Sequence, residues 1–123
     1  MTLNGKYFKI DGSTQYEGLS GLYSISLLKD CEVYAGHFPG EPVCPGVCNI
    51  QTVKECAMLL TEEKDLKVRS IKRCRFKALM TPTDVQTLNV RINASPHEEC
   101  YMVQASIYDE EREYLEFIGE MEP

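Results

Sequence analysis

The chain has 123 residues, the usual length of one domain, so we expect a single domain over residues 1–123. Hydrophobic residues make up 43% of the chain, enough for a core, but no apolar run approaches the roughly 18 residues of a transmembrane helix. The formal net charge of −6 argues against nucleic-acid binding. The first residues lack the apolar segment of a signal peptide, so we expect a cytoplasmic protein.

The early part of the chain has the pattern of β-strands. Strand-like residues at 7–10 are followed by a predicted break at 11–13, DGS. Residues 21–27 alternate between two faces, and the more apolar face carries Tyr23, Ile25 and Leu27. This alternation predicts a strand with one side on the core.

The middle of the chain predicts a helix, and the remainder predicts strands. Residues 47–61 are apolar over most of a helical surface, which indicates a buried helix, and the charged residues 62–65 end it. Turn-forming segments then separate four strand candidates, at 66–79, 85–94, 100–109 and 114–120. This order of elements indicates an α+β domain.

The cysteines do not form a recognisable metal site. They stand at positions 31, 44, 48, 56, 74 and 100 without a C-x-x-C pair, and the two histidines, His37 and His97, are far apart. We expect reduced thiols that mostly act as small buried hydrophobes, and an exposed His97 in a turn. Cys44 is the exception, because a low pKa would make it a nucleophile inside the loop described next.

Residues 37–47, HFPGEPVCPGV, are the most informative segment. A histidine stands beside three prolines and two glycines, directly before the predicted helix. Proline fixes φ and glycine permits unusual backbone, so a rigid loop should end at Pro45-Gly46 and leave the first N–H groups of the helix without an internal partner. An imidazole beside such groups can remove a proton next to a carbonyl and stabilise the resulting oxyanion.

This segment resembles the active-site motif of the 3-hydroxyacyl-acyl carrier protein dehydratases, the FabZ-like group of the hot-dog fold. Residues 75–84, RFKALMTPTD, are similar to the second motif of that family, although Thr83 stands where glycine is usual. The resemblance implies a hot-dog fold, in which an antiparallel β-sheet wraps around a long central helix. It also implies side-by-side dimers with active sites at the interface.

The resemblance assigns roles to three residues. His37 corresponds to the base that removes the α-proton of a 3-hydroxyacyl thioester. The backbone carbonyl of Val43 would orient the imidazole, and the N–H of Gly46 would donate to the thioester carbonyl. The family's reaction needs no metal or redox cofactor, so we expect none here.

Position 51 departs from the family pattern. The family has an acidic residue fourteen positions after the histidine, and Gln51 stands there in this chain. Glutamine can form hydrogen bonds but cannot donate a proton as a carboxylic acid does. Gln51 could position the hydroxyl or a water while His37 moves the proton, or Glu41 or Glu55 could substitute. Both glutamates are expected to be exposed to solvent.

Basic residues are concentrated in one strand candidate. Six of the thirteen lie within residues 67–77. Simple alternation would place four of them on one face: Arg69, Arg73, Arg75 and Lys77. This face is either a solvated strand surface or, by the resemblance, a docking surface for an acidic acyl carrier protein.

The sequence therefore favours a dehydratase-like protein that eliminates water from a 3-hydroxyacyl thioester to give a trans-2-enoyl thioester. The resemblance places the reaction in fatty-acid or polyene-type lipid biosynthesis, with acyl carrier protein as partner and a homodimer or higher oligomer as the assembly. Two alternatives stay open. One is a hot-dog acyl thioesterase, although thioesterases generally lack the HFPG motif. The other is a non-catalytic acyl- or carrier-binding subunit, which the glutamine at position 51 favours.

Overall fold

An antiparallel sheet and a long helix organise the chain. The computed structural model describes residues 2–34 and 43–123. In chain order its elements are β1 (Phe8–Tyr16), β2 (Ser20–Leu27), a short 3₁₀ helix (Glu32–Tyr34), α1 (Gly46–Thr61), β3 (Lys67–Phe76), β4 (Thr87–His97), β5 (Cys100–Tyr108) and β6 (Glu113–Glu122). The strands form one six-stranded sheet in the order β1-β2-β4-β5-β6-β3, so β1 and β3 are its edges. The prediction of an α+β domain is confirmed.

The core lies between α1 and the sheet. Strand β4 shows why, because every second residue from Leu88 to Ala94 is buried, while α1 packs mainly on β4 and also contacts β2 and β3. Tyr23, Ile25 and Leu27 of β2 are buried as predicted. Each large apolar side chain that is fully buried in this way stabilises the fold by about 1.5–3 kcal/mol. None of the helices in the described ranges has the length and apolar character needed to cross a membrane.

The helix is less enclosed than its composition predicts. Val47 and Leu59 of α1 are 72% and 51% exposed, so the prediction that the helix is buried on nearly all sides is wrong for the single chain. The sheet packs against α1, and the N-terminal segment contacts the helix through hydrogen bonds to Asn49 and Glu55. The remaining apolar surface faces outward.

Two strands extend beyond their predicted ends. β1 continues through residues 11–13, where a break was predicted, because the register shifts between Ile10 and Gly12 and absorbs the irregularity. β4 continues through Pro96 to His97. There it pairs only with β5, since β2 pairs no further than Asn93, and a proline is tolerated where a strand has one neighbour. His97 is exposed, as predicted.

β3 is an irregular edge strand. Its register against β6 shifts between Val68 and Ser70 and again between Ile71 and Arg73, which leaves Arg69 and Lys72 as the extra residues of two bulges. The predicted alternation of Arg69, Arg73, Arg75 and Lys77 on one face does not hold across the first of these bulges, and Lys77 lies beyond the end of the strand. Arg73 and Arg75 still share a face, opposite Ile118 and Glu116 of β6.

The close approach of β3 to β6 predicts a strong effect at Gly119. A Cβ added there would lie 2.7 Å from the carbonyl oxygen of Ser70 and 2.9 Å from Cζ of Phe117. Since the carbonyl belongs to the paired backbone, we expect Gly119→Ala to lower the free energy of unfolding by about 2 kcal/mol in urea denaturation. Gly12→Ala is the control, because its Cβ would meet nothing within 4 Å. Equal stability of the two variants would contradict the packing described here.

Candidate active site

The N-terminus of α1 presents backbone N–H groups that lack an internal partner. Pro45 precedes the helix in an extended conformation, with φ −65° and ψ 140°, and supplies no side-chain cap. Its carbonyl accepts hydrogen bonds from the N–H groups of Cys48 and Asn49, at 3.0 and 3.2 Å. Within the described ranges, the N–H groups of Gly46 and Val47 have no hydrogen-bond partner. They lie at the positive end of the helix dipole, which suits a developing oxyanion.

Glycine at position 46 is explained by its neighbour Phe76. A Cβ at Gly46 would lie 2.8 Å from Cζ of Phe76 and 3.0 Å from Cε1. The ring at the end of β3 thus packs directly over the first residue of α1, and a residue without a side chain lets it approach. Phe76 is itself 55% exposed, so the ring borders the helix N-terminus at the surface.

The residues on both sides of the 35–42 segment are fixed by hydrogen bonds. Tyr34 and Cys44 meet through the hydroxyl and Sγ at 3.4 Å, and the Cys44 N–H donates to the carbonyl of Met80 at 2.8 Å. Tyr7 packs against Tyr34, with 6.1 Å between ring centroids, and its hydroxyl donates to Oδ1 of Asn49 at 2.7 Å. Both flanks are therefore tied to buried parts of the fold.

Two of the predicted acid–base residues lie outside the described residues, namely His37 and Glu41. Val43 is half-buried and is the first described residue after them. Its proposed role in orienting the imidazole therefore remains a prediction. Gly46 and Gln51 are described, and both lie on α1.

The environment of Cys44 does not favour a nucleophile. Burial raises the pKa of its thiol, although the neighbouring tyrosine hydroxyls, that of Tyr34 above all, act in the opposite direction. Cys48 is also buried with a raised pKa, and burial together with the nearby Glu55 raises the pKa of Cys56 to about 12. These thiols behave as the small hydrophobes that the sequence predicts. No group of three or more possible metal-ligating side chains occurs in the described part of the chain.

Gln51 is joined to Glu55, one helical turn later. Its Nε2 donates to Oε2 of Glu55 at 3.0 Å. The same oxygen accepts the Leu3 N–H at 2.7 Å, and the other oxygen accepts the Asn4 N–H at 2.9 Å. Glu55 is only 8% exposed, so the expectation that it faces solvent is wrong. No sequence pattern signals this burial, because the backbone partners of Glu55 lie more than fifty residues away.

These contacts bear on the possible substitute acids. Both oxygens of Glu55 already accept hydrogen bonds, so Glu55 is poorly placed to protonate a leaving hydroxyl. Gln51 and Glu55 line one side of an open groove of about 350 Å³ along α1. Its other lining residues include Asn4, Lys54, Met58 and Leu59. Gln51 is the first residue of α1 after Gly46 that lines this groove.

The basic residues of β3 lie among carboxylates of β6. Arg73 pairs with Glu116 at 3.1 Å, and Lys77 pairs with Glu116 at 2.9 Å and also with Glu113. The hydrogen bonds from Lys77 hold the pKa of both carboxyls below the usual range. Arg69 and Arg75 have no carboxylate oxygen within 4.0 Å in the described part of the chain, so their charges are less compensated.

Comparison with known proteins identifies the family. A family model described as ApeI-like, ApeI dehydratase, matches residues 14–113, so the chain belongs to the ApeI-like dehydratase family. The solved dehydratase heterocomplex ApeI:P from Xenorhabdus doucetiae superposes with a TM-score of 0.74 at 19% identity, covering 93% of this chain and 96% of the other. An uncharacterized protein from Erwinia carotovora subsp. atroseptica gives a TM-score of 0.62, also at 19% identity, with 92% of each chain covered. The predicted hot-dog fold is confirmed.

The chain is also similar in sequence to curated proteins. The 3-hydroxyacyl-[acyl-carrier-protein] dehydratase FabZ of Haemophilus influenzae strain PittEE is 33% identical over 84 residues, covering 62% of this chain and 55% of the relative. FabZ of Wolbachia pipientis wMel is 33% identical over 67 residues, covering 50% and 47%. The chain thus spans about half the length of the curated relatives it matches. The predicted relationship to FabZ-like dehydratases is confirmed.

The contact between Gly46 and Phe76 gives a test of the geometry at the helix N-terminus. Gly46→Ala should force the Phe76 ring away and lower the free energy of unfolding by about 1 kcal/mol, since the ring is at the surface and can move. In a Phe76→Ala background the same change should cost nothing, because the added methyl group then has room. Thermal unfolding of the four proteins measures this. An equal cost in both backgrounds would show that the ring does not lie over Gly46.

Proposed function

We propose that the protein is a dehydratase that eliminates water from a 3-hydroxyacyl thioester carried on an acyl carrier protein. The observation that carries the proposal is the start of α1. There, the N–H groups of Gly46 and Val47, which have no partner among the described residues, follow the HFPG motif and precede Gln51 on the same helix. The family membership and the FabZ relatives support the reaction type. Fatty-acid or polyene-type lipid biosynthesis is the corresponding pathway class.

The proposed chemistry uses His37 twice. Its imidazole removes the proton from C2, and the negative charge that develops on the thioester oxygen is stabilised by the Gly46 N–H. The C3–O bond then breaks, the double bond forms between C2 and C3, and the hydroxyl leaves as water with a proton from the imidazolium. Removing a donor of the Gly46 type costs about 10²–10³ in rate in other enzymes.

Gln51 orients the hydroxyl in this scheme and does not protonate it. Its side chain stands on α1 about 7.5 Å along the axis from Gly46, from the rise of 1.5 Å per residue. A substrate whose thioester carbonyl meets the helix N-terminus can extend its C3 hydroxyl toward that position. A glutamine amide can hold the hydroxyl by a hydrogen bond while His37 supplies the proton.

The carrier is proposed to dock on the outward face of β3. Arg75 is the best candidate for contact with the acidic carrier, because Arg73 and Lys77 are already paired with carboxylates of β6. Arg69 adds a second less compensated charge at the first bulge of β3. Such exposed charges mainly raise the rate of association, and they do so most strongly at low salt.

A second copy of the chain, or a homologous chain, is proposed to pair along the free edge of β3. Among the described strands, β3 pairs only with β6. It exposes Val68, Ile71 and Phe76, and Val47 and Leu79 are exposed as well. A long edge strand with exposed apolar side chains is a common site of sheet-to-sheet association. The solved ApeI:P structure is itself described as a heterocomplex, so both a homodimer and a heterodimer fit.

The reaction is tested by following enoyl product from a short 3-hydroxyacyl-carrier thioester. We expect wild type to form product, and His37→Ala to lower the rate by about 10²–10⁴ because it lacks the base. Glu62→Gln, an exposed carboxylate just after α1, is the control and should be unaffected. Gln51→Glu in the same assay shows what an acid at this position adds.

The other outcomes of this assay separate the alternatives. Release of free acid without enoyl product would indicate a thioesterase. Binding of the acyl carrier without turnover would indicate a non-catalytic subunit, as would activity that arises only after Gln51→Glu. Either result would refute the proposed dehydration by the wild-type protein.

The docking surface is tested by charge reversal. Arg75→Glu should weaken carrier binding about fivefold at low salt, since an exposed charge pair contributes up to about 1 kcal/mol. Lys9→Glu, on the opposite edge strand β1, is the matched control and should leave the affinity unchanged. Unchanged binding by Arg75→Glu at low ionic strength would place the carrier elsewhere.

The assembly is tested by sedimentation of two edge variants. Ile71→Lys places a charge among the exposed apolar side chains of β3 and should shift the protein to a monomer. Tyr16→Lys does the same on β1 and should leave the assembly intact. Dissociation by Tyr16→Lys alone would assign the interface to the other edge of the sheet.

A further inference from the structure

Glu55 is an unusual residue because it is charged and buried. Among the described residues, Glu55 is the sole Asp, Glu, Lys or Arg that is buried. No described cationic side chain lies within 4.0 Å of the Glu55 carboxylate. The neighbouring Lys54 pairs with Asp65 instead, at 3.8 Å. Its charge is instead met by three N–H donors, from Leu3, Asn4 and Gln51. A buried charge without such donors would be strongly destabilising.

We propose that Glu55 is a positioning residue that holds the Gln51 amide for the reaction and that makes a neutral side chain necessary at position 51. The proposal rests on the proposed function for the part that Gln51 plays in the reaction. The hydrogen bond from Nε2 to Oε2 is 3.0 Å long and joins two side chains on the same face of α1. A residue that lies four positions earlier on a helix is well placed for such a contact.

The contact also fixes which end of the amide faces Glu55. Because Nε2 donates to Glu55, the carbonyl oxygen Oε1 of Gln51 is turned away from that carboxylate. The hydrogen bond to Glu55 thus gives the amide a defined orientation on α1. Glu55 is in turn immobilised by the backbone of Leu3 and Asn4, so the N-terminal segment supports the orientation of Gln51.

Glu55 explains why an acid is unfavourable at position 51. A carboxyl at that position would lie about as close to the Glu55 carboxylate as the amide does, at 3.0 Å. Two carboxylates at this distance cannot both be ionised easily, and one pKa rises strongly. An amide next to a carboxylate avoids this repulsion and gains a charge-assisted hydrogen bond. The glutamine is therefore the partner that a fixed Glu55 requires.

The first test is a kinetic cycle of four proteins: wild type, Glu55→Gln, Gln51→Ala and the double variant. Glu55→Gln should lower kcat about tenfold, with KM little changed, because the amide loses its orientation. In the Gln51→Ala background, Glu55→Gln should change kcat by less than about twofold. Equal losses in both backgrounds would mean that Glu55 only holds the N-terminal segment, which would overturn the proposal. Glu62→Gln, at the exposed residue just after the C-terminus of α1, is the control and should leave kcat unchanged.

The second test needs no turnover. NMR titration gives the pKa of the carboxyl introduced by Gln51→Glu, alone and combined with Glu55→Gln. We expect it to be at least about one pH unit higher in the single variant, where the Glu55 carboxylate remains. The other charged groups of the groove, Lys54, Glu63, Lys64 and Asp65, and the thiol of Cys56 below, are the same in both proteins. Equal pKa values would overturn the proposal.

The two tests separate this proposal from the function on which it rests. If wild type makes no enoyl product, the dehydratase function fails, and the NMR titration still decides whether Glu55 and position 51 are coupled. If product forms but Glu55→Gln lowers kcat by the same factor with and without Gln51→Ala, the dehydratase function stands and the positioning role of Glu55 fails.

Discussion

The attachment of the first residues to the middle of α1 is the contact on which the candidate site depends. The backbone of Leu3 and Asn4 binds Glu55, and Tyr7 binds Asn49, about 9 Å away along the axis at 1.5 Å per residue. The helix also packs on β4 of the sheet. Two polar attachments and one apolar face prevent rotation of α1 about its axis. The direction of the Gly46 N–H and of Gln51 is fixed as a result.

The start of α1 is built for chemistry more than for helix stability. A Ser, Thr, Asp or Asn before the helix would cap its N–H groups and typically stabilise it by about 1 kcal/mol. Pro45 stands there instead and supplies no side-chain cap, and Gly46 is a poor helix former. The packing of Cys48, Val53 and Leu60 against the sheet compensates for this. The uncapped N–H groups are consistent with a site that stabilises a negative charge.

Local patterns made much of this structure predictable, and long-range contacts limited the prediction. Alternation in residues 21–27 and apolar spacing in residues 47–61 depend on nearby residues, so these elements were predicted within a residue or two of their ends. The burial of Glu55 depends on backbone groups of Leu3 and Asn4, which no spacing rule connects to it. The bulges of β3 depend on the pairing with β6.

Because of its bulges, β3 presents different side chains on its two faces, and its two proposed partners, a second chain and the acyl carrier protein, would contact different faces. Val68, Ile71 and Phe76 lie opposite the residues of β6 that face α1, whereas Arg73 and Arg75 lie opposite the outward residues. An unbroken strand of the same sequence would have placed Arg73 and Ile71 on one face, because both positions are odd. The extra residue Lys72 separates them. A chain paired along this edge would therefore cover the apolar side chains and leave the arginines accessible, so that assembly and carrier docking need not compete.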